Sequence, residues 1–275
     1  MKRFIVNLTI IAAIAVLFFS CSGLGQVSKS GDPELMYSTA LKLYKAEKWS
    51  RASDMFDACL GYYIGSERED SIAFFSARSK FKHRDYHEAS TNLDEFRRKF
   101  GRSLFIEDAE AMFAMCQYYL SPEPTRDQTL TAQAIVSLST FIERYPNSNR
   151  VEAFNKIIEE LTIRLHDKNF LNAYTYFKVQ KYKSAVVAFK NALKNYDNTS
   201  HREEIMYYIV VSNYRLAHNS IEQKQADRFL DMLDSYYSFI EEYPNSKHIK
   251  ELNRYFKEAK DYSDKHKSSE QTEIK

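Results

Sequence analysis

Apolar residues recur along this chain at the three- and four-residue spacing of helix faces, in runs that come two by two. Asp32 stands as an N-cap, with Pro33 at the first helical position. Paired helices are predicted at about 34–46 with 50–62, 71–82 with 86–100, and 106–120 with 128–145. Residues 150–169 are helical in pattern and lead into 170–178. Periodicity leaves open whether these are one helix or two. Residues 184–195 complete a fourth pair, 203–217 with 225–243 form a fifth, and a single run over 247–262 follows. One stretch punctuates the pattern: FIERYPNSN at Phe141–Asn149 returns as FIEEYPNSK at Phe239–Lys247. Proline cannot continue a helix, and Asn-Ser supplies turn chemistry for the next one. Two such marks in a helical chain indicate a repeat array.

The repeat unit is read backwards from those prolines. Ala134, Leu138 and Phe141 share one helical face, as do three further sets: Trp49, Ala52, Phe56, Cys59; Tyr86, Ala89, Leu93, Phe96; and Tyr182, Ala185, Phe189, Ala192. A weaker fifth copy is Met232, Tyr236, Phe239. Partner helices carry Ala40, Leu43 and Tyr44; Ala77 and Phe81; and Ala173, Tyr176 and Phe177. The pattern resembles the tetratricopeptide repeat, where small residues let antiparallel helices approach and aromatics fill the space between pairs. The anchors at 52, 89, 134, 185 and 232 are spaced more widely than the ideal period of about 34 residues. The expected fold is all-α: a tetratricopeptide-like superhelical array of about five degenerate helix pairs, with 247–262 as a capping helix.

Composition narrows this picture. Six Gly and five Pro in 275 residues favour helices over β-rich architecture, and repeat packing absorbs most of the 19 Phe and 20 Tyr. A formal net charge of +2, with bases and acids interspersed, gives no nucleic-acid footprint. The N-terminus departs from the pattern. Lys2 and Arg3 precede an apolar run that ends at Phe18-Phe19-Ser20-Cys21, the plan of an export signal. The run is short for a membrane span. Ser20-Cys21 resembles a bacterial lipobox, with Phe18 in place of the usual leucine. Residues 1–20 are therefore expected to be a signal peptide, and Cys21 to carry lipid. Residues 21–31 read as a flexible linker spanning roughly 18 Å as a coil. The repeat domain covers 32–262, and 263–275 is a polar tail expected to be disordered.

Candidate chemistry is sparse. The sequence holds no phosphate loop, GxSxG or zinc-type cysteine pairing. His83 and His87 have metal-ligand spacing but straddle a turn predicted at Arg84-Asp85. Cys59 and Cys116 sit at packing positions and read as buried thiols. No acid/base pair stands out, so neither an enzyme, a cofactor nor a metal is expected. What remains is surface. The first helix of each pair lines the concave face of such arrays, which points to Tyr37, Leu41 and Tyr44 from the first pair and Phe74, Arg78 and Phe81 from the second. Aromatics beside an arginine suit a peptide groove; packing between repeats is the other role open to the same residues.

The lipobox, the repeats, the SPEPTRDQT loop and RYPNSN following AIVSLSTFIE together resemble the BamD family, the lipoprotein subunit of the outer-membrane β-barrel assembly machine. The resemblance covers essentially residues 17–260. It implies a lipid-anchored protein on the periplasmic face of the outer membrane. The partners it implies are the periplasmic domains of the barrel subunit BamA and unfolded barrel precursors, the latter often recognised by an aromatic C-terminal signal. The N-terminal repeats would be the substrate side and the C-terminal repeats the BamA side. Two other readings stay open: an envelope scaffold of the Tol-Pal or division type, and a glycan-binding lipoprotein. Replacing Cys21 with Ala is expected to release the protein from membranes. Intact-mass analysis checks this; a mature chain that starts elsewhere or lacks acyl mass contradicts it.

Overall fold

The array begins where the sequence places it. Asp32 accepts a hydrogen bond from the Leu35 amide at 3.0 Å, and Pro33 opens helix α1, Pro33–Lys45. The computed structural model describes residues 24–195 and 199–273, with 266–273 as backbone only. The expected signal peptide and Cys21 lie outside the described residues. Helices follow in order: α2 (Trp49–Leu60), α3 (Glu69–Lys82), α4 (Tyr86–Lys99), α5 (Ile106–Leu120), α6 (Thr129–Arg144), α7 (Val151–Lys178), α8 (Tyr182–Asn195), α9 (Arg202–His218), α10 (Glu222–Glu242) and α11 (Ile249–Glu273). Among the described residues there is no strand. Two compact units result. The first holds the described residues up to Ser121 together with Ala132–Ile157; the second holds Pro122–Thr131 and the described residues from Ile158 on.

Alanine sets the packing of three of the pairs. Ala40 and Ala52 share one buried cluster, Ala77 and Ala89 a second, and Ala173 and Ala185 another, all without exposed surface. Small side chains at matched positions let two helices close to packing distance. Large residues one and two turns along then fill the gap: Phe56 after Ala52, Leu93 and Phe96 after Ala89, Phe189 after Ala185. Ala134, Leu138 and Phe141 are equally buried. Tyr176 is the exception among the expected partner-helix residues, since it faces solvent.

Two kinds of turn recur. Within the first, second and fourth pairs, Glu47, Arg84 and Gln180 take left-handed backbone, with φ of 55°, 67° and 60°. In each, the next amide reaches back five residues: Lys48 to Leu43 (2.9 Å), Asp85 to Lys80 (3.0 Å) and Lys181 to Tyr176 (2.9 Å). This is the Schellman ending of a helix, built here without the usual glycine. Between pairs, an aromatic residue accepts from an amide three residues on: Ser66 to Tyr63, Ser103 to Phe100, Ser148 to Tyr145 and Ser246 to Tyr243, at 2.9–3.2 Å. The YPNS turns are thus two members of a larger set. Their serine hydroxyls donate backwards to acids in the first turn of an earlier helix, Ser103 to Asp70 and Ser148 to Glu107 at 2.7 Å and Ser246 to Glu203 at 2.6 Å. The joint at Arg68 uses an ion pair with Glu34 at 2.7 Å instead. Behind Ser66, the Lys99 ammonium and the Gly65 amide both bind Glu69, holding its carboxyl below the usual range.

Three expectations change. Residues 24–29 are helical, and Leu24 and Val27 pack against the first pair, so the 21–31 segment is not a free coil throughout. Two apolar residues three apart make a stripe too short to register as periodicity. Residues 150–178, left undecided, are spanned by the single helix α7 from Val151. No glycine or proline interrupts it, and Asn169 donates its side-chain amide to the Leu165 carbonyl at 2.9 Å. The last helix does not stop at Tyr262. It runs to Glu273, because nothing in 263–273 breaks a helix.

Ala89→Leu is expected to cost about 1–3 kcal/mol by overpacking. Urea denaturation measures it; an unchanged midpoint would show the alanine register to be wrong.

Candidate functional site

A cleft of about 400 Å³ opens in the first unit, on the first helices of successive pairs. Helix α3 supplies Phe74, Arg78 and Phe81; α5 supplies Asp108, Met112 and Met115; Arg150, just before α7, and Phe154 in its first turn complete the lining. The inter-pair turn at Ser148 fixes this geometry. Glu107 accepts from the Ser148 hydroxyl, and Arg150 pairs with Asp108 and, at 3.4 Å, with Glu107. The beginning of α7 is thereby tied to the beginning of α5, and Phe154, nearly fully buried, closes one wall.

The lining mixes apolar side chains with unevenly distributed charge. Arg150 is already neutralised by Asp108. Among the described residues, no carboxylate is paired with Arg78 or Lys82. The Arg78 guanidinium lies 6.0 Å from the centre of the Phe74 ring and in the field of the Tyr44 phenol, whose pKa burial raises and Arg78 lowers. Phe81 packs on Tyr86 (5.7 Å) and beside Tyr119 (6.1 Å); Tyr86 and Tyr119 stack at 4.4 Å. Tyr119 is 47% exposed, so an aromatic shelf continues from the cleft. Met112 and Met115 are flexible and polarisable, suited to side chains of varied shape. Such a site can bury an aromatic or aliphatic side chain and pair a carboxylate with Arg78.

The six groove candidates separate. Phe74, Arg78 and Phe81 come together at the cleft. Phe74, however, has no exposed surface: it stacks on Phe105 at 4.5 Å and forms the floor from within the core. Tyr37, Leu41 and Tyr44 are half-buried in the first pair and do not line the cleft. Tyr37 packs on Tyr63 (6.0 Å) beneath Arg68, and Tyr44 on Trp49 (5.2 Å) and Phe75 (5.1 Å). Sequence reasoning missed Met112, Met115, Arg150, Phe154 and Tyr119. The two methionines, three apart on one helix face, were the available signal.

The remaining chemistry is structural. His83 caps α3 while His87 belongs to α4, so they do not share a helix. Cys59 and Cys116 are free and buried, and burial pushes their thiols up to about 11 and about 12, away from nucleophilic use. In the second unit, a smaller cleft of about 270 Å³ has Leu193, Met206 and Ile209 as floor and Lys190, Asp231 and Asp234 at its rim.

Comparison with known proteins gives a consistent picture. A family model described as YfiO, outer membrane lipoprotein, matches residues 29–230. The outer membrane protein assembly factor BamD of Caulobacter vibrioides is 24% identical over 206 residues, 72% of this chain and 68% of that one. That of Rickettsia prowazekii is 24% identical over 212 residues, 77% of this chain and 80% of its own.

Phe74→Ala is expected to cost about 3–5 kcal/mol, the range for a buried phenylalanine. Arg78→Ala should change stability by only about 0.5 kcal/mol or less. Thermal melts of the two variants check the division between floor and face; equal losses would contradict it.

Proposed function

The chain belongs to the YfiO family of outer-membrane lipoproteins, and on that footing we propose that it serves outer-membrane protein assembly as a binding subunit without catalysis. Acyl chains on Cys21 hold it on the periplasmic face of the membrane. The cleft of the first unit captures unfolded β-barrel precursors, and the second unit engages the periplasmic domains of BamA. The observation that carries this reading is the cleft itself: methionine and phenylalanine side chains beside Arg78, which among the described residues is paired with no carboxylate. Precursors of barrel proteins offer the matching groups, aromatic rings and a terminal carboxylate.

Capture by such a site is reversible. Burying one aromatic side chain of about 150–250 Å² at about 25 cal/mol per Å² yields roughly 4–6 kcal/mol before ordering costs. Ordering an extended chain removes a large part of that. A carboxylate on Arg78 adds the strength of a charge-assisted hydrogen bond, about 1.5–3 kcal/mol. The sum suits a protein that must release its client, and it needs no fuel. For BamA, the apolar floor and paired aspartates of the smaller cleft favour a contact combining aliphatic and basic side chains.

Titrating a labelled peptide from a precursor's C-terminus tests the proposal. Arg78→Ala should weaken binding about tenfold or more, as loss of such a bond requires. It should do so only when the peptide's carboxylate is free; an amidated peptide should bind both proteins alike. Unchanged affinity for the free-acid peptide would refute the assignment. Recovery of BamA with tagged protein from envelope extracts tests the second contact.

A further inference from the structure

The inter-pair turns of the first unit form one continuous edge. Glu34 binds Arg68, Asp70 binds Ser103 and Glu107 binds Ser148, so the start of α1 and the turns at 61–68, 100–105 and 145–150 lie side by side. This edge exposes large apolar side chains: Leu35 is 42% exposed, Tyr62 59%, Ile64 70% and Leu104 98%. The opposite turns, 46–48 and 83–85, expose only Ala46, Glu47, Lys48, His83, Arg84 and Asp85. Apolar residues gathered at the tips of otherwise polar turns mark a contact surface.

The chain indicates what covers that surface. Leu24 and Val27 are docked on the first pair. Cys21 stands three residues before Leu24, and three residues reach at most roughly 10 Å when fully extended. An acylated Cys21 therefore holds the bilayer against the first pair, with no long leash between them. We infer that the edge carrying Leu35, Tyr62, Ile64 and Leu104 rests in the interfacial layer of the phospholipid membrane that holds the anchor. The inference depends on the lipid anchor of the proposed function. Tyrosine suits the headgroup boundary, with its ring in apolar material and its hydroxyl in water. Arg102, exposed and unpaired among the described residues, lies on the same edge and can meet a lipid phosphate through its planar fork. Contact of this kind adds a second attachment to the acyl chains and fixes the orientation of the first unit.

The test uses the full mature, acylated chain in vesicles of phosphatidylethanolamine and phosphatidylglycerol. Ile64→Cys, Leu104→Cys and Lys48→Cys are each labelled with an environment-sensitive dye; the buried Cys59 and Cys116 thiols stay unlabelled. Labels at 64 and 104 should show blue-shifted emission and lose intensity to nitroxide-bearing lipid, while the label at 48 should do neither. Vesicle-bound protein with all three labels in water, or with equal quenching at 48, would overturn the inference alone. Protein that fails to float with vesicles would remove the anchor, and both readings would fall together.

Discussion

Two helices approach closely where both present a small side chain, and this constraint organises the first, second and fourth pairs of the chain. Ala40 with Ala52, Ala77 with Ala89 and Ala173 with Ala185 meet it at one constant spacing, twelve residues apart. The constant spacing follows from a constant turn, the left-handed residue at Glu47, Arg84 or Gln180. A hairpin closed in this way still leaves aromatic surface that it cannot bury alone, so each pair needs the next one.

Registration of one pair on the next falls to the second kind of turn. A serine after an aromatic residue satisfies helix-end backbone groups and at the same time bonds an acid in the first turn of an earlier helix. Apolar burial supplies the energy, while these polar bonds select the alignment. The cleft is a consequence. Because Ser148 and Arg150 are tied to Glu107 and Asp108, the start of α7 stands beside α5, and Phe154 is brought to the methionines. The binding role proposed for this chain rests on surface left over once packing is complete.

That division explains what could be read from sequence. The alanine spacing and the YPNS punctuation are local and repeat, so pairs and anchors were legible. The equivalent turns at Tyr63-Ile64-Gly65-Ser66 and Phe100-Gly101-Arg102-Ser103 were not, because they lack the proline. The turn at Arg84-Asp85 was legible as a turn, but its left-handed backbone, like that at Glu47 and Gln180, was not, because Glu, Arg and Gln hold the position that glycine normally marks. Phe74 and Phe75 are adjacent aromatics on α3, and only the packed structure shows Phe74 stacked on Phe105. The site was half visible for a similar reason. Arg78 and Phe81 lie on a predictable helix face, but their companions come from helices far along the chain, and periodicity carries no information about which helices become neighbours.

In the proposed function, precursors are held in the first unit's cleft. A photo-crosslinking amino acid placed at Met115, inside the cleft, and at Val136, exposed elsewhere on the same unit, tests it in intact cells. Adducts with unfolded barrel precursors are expected from position 115 and none from 136. Adducts from 136 alone, or from neither position while assembly proceeds, would contradict it.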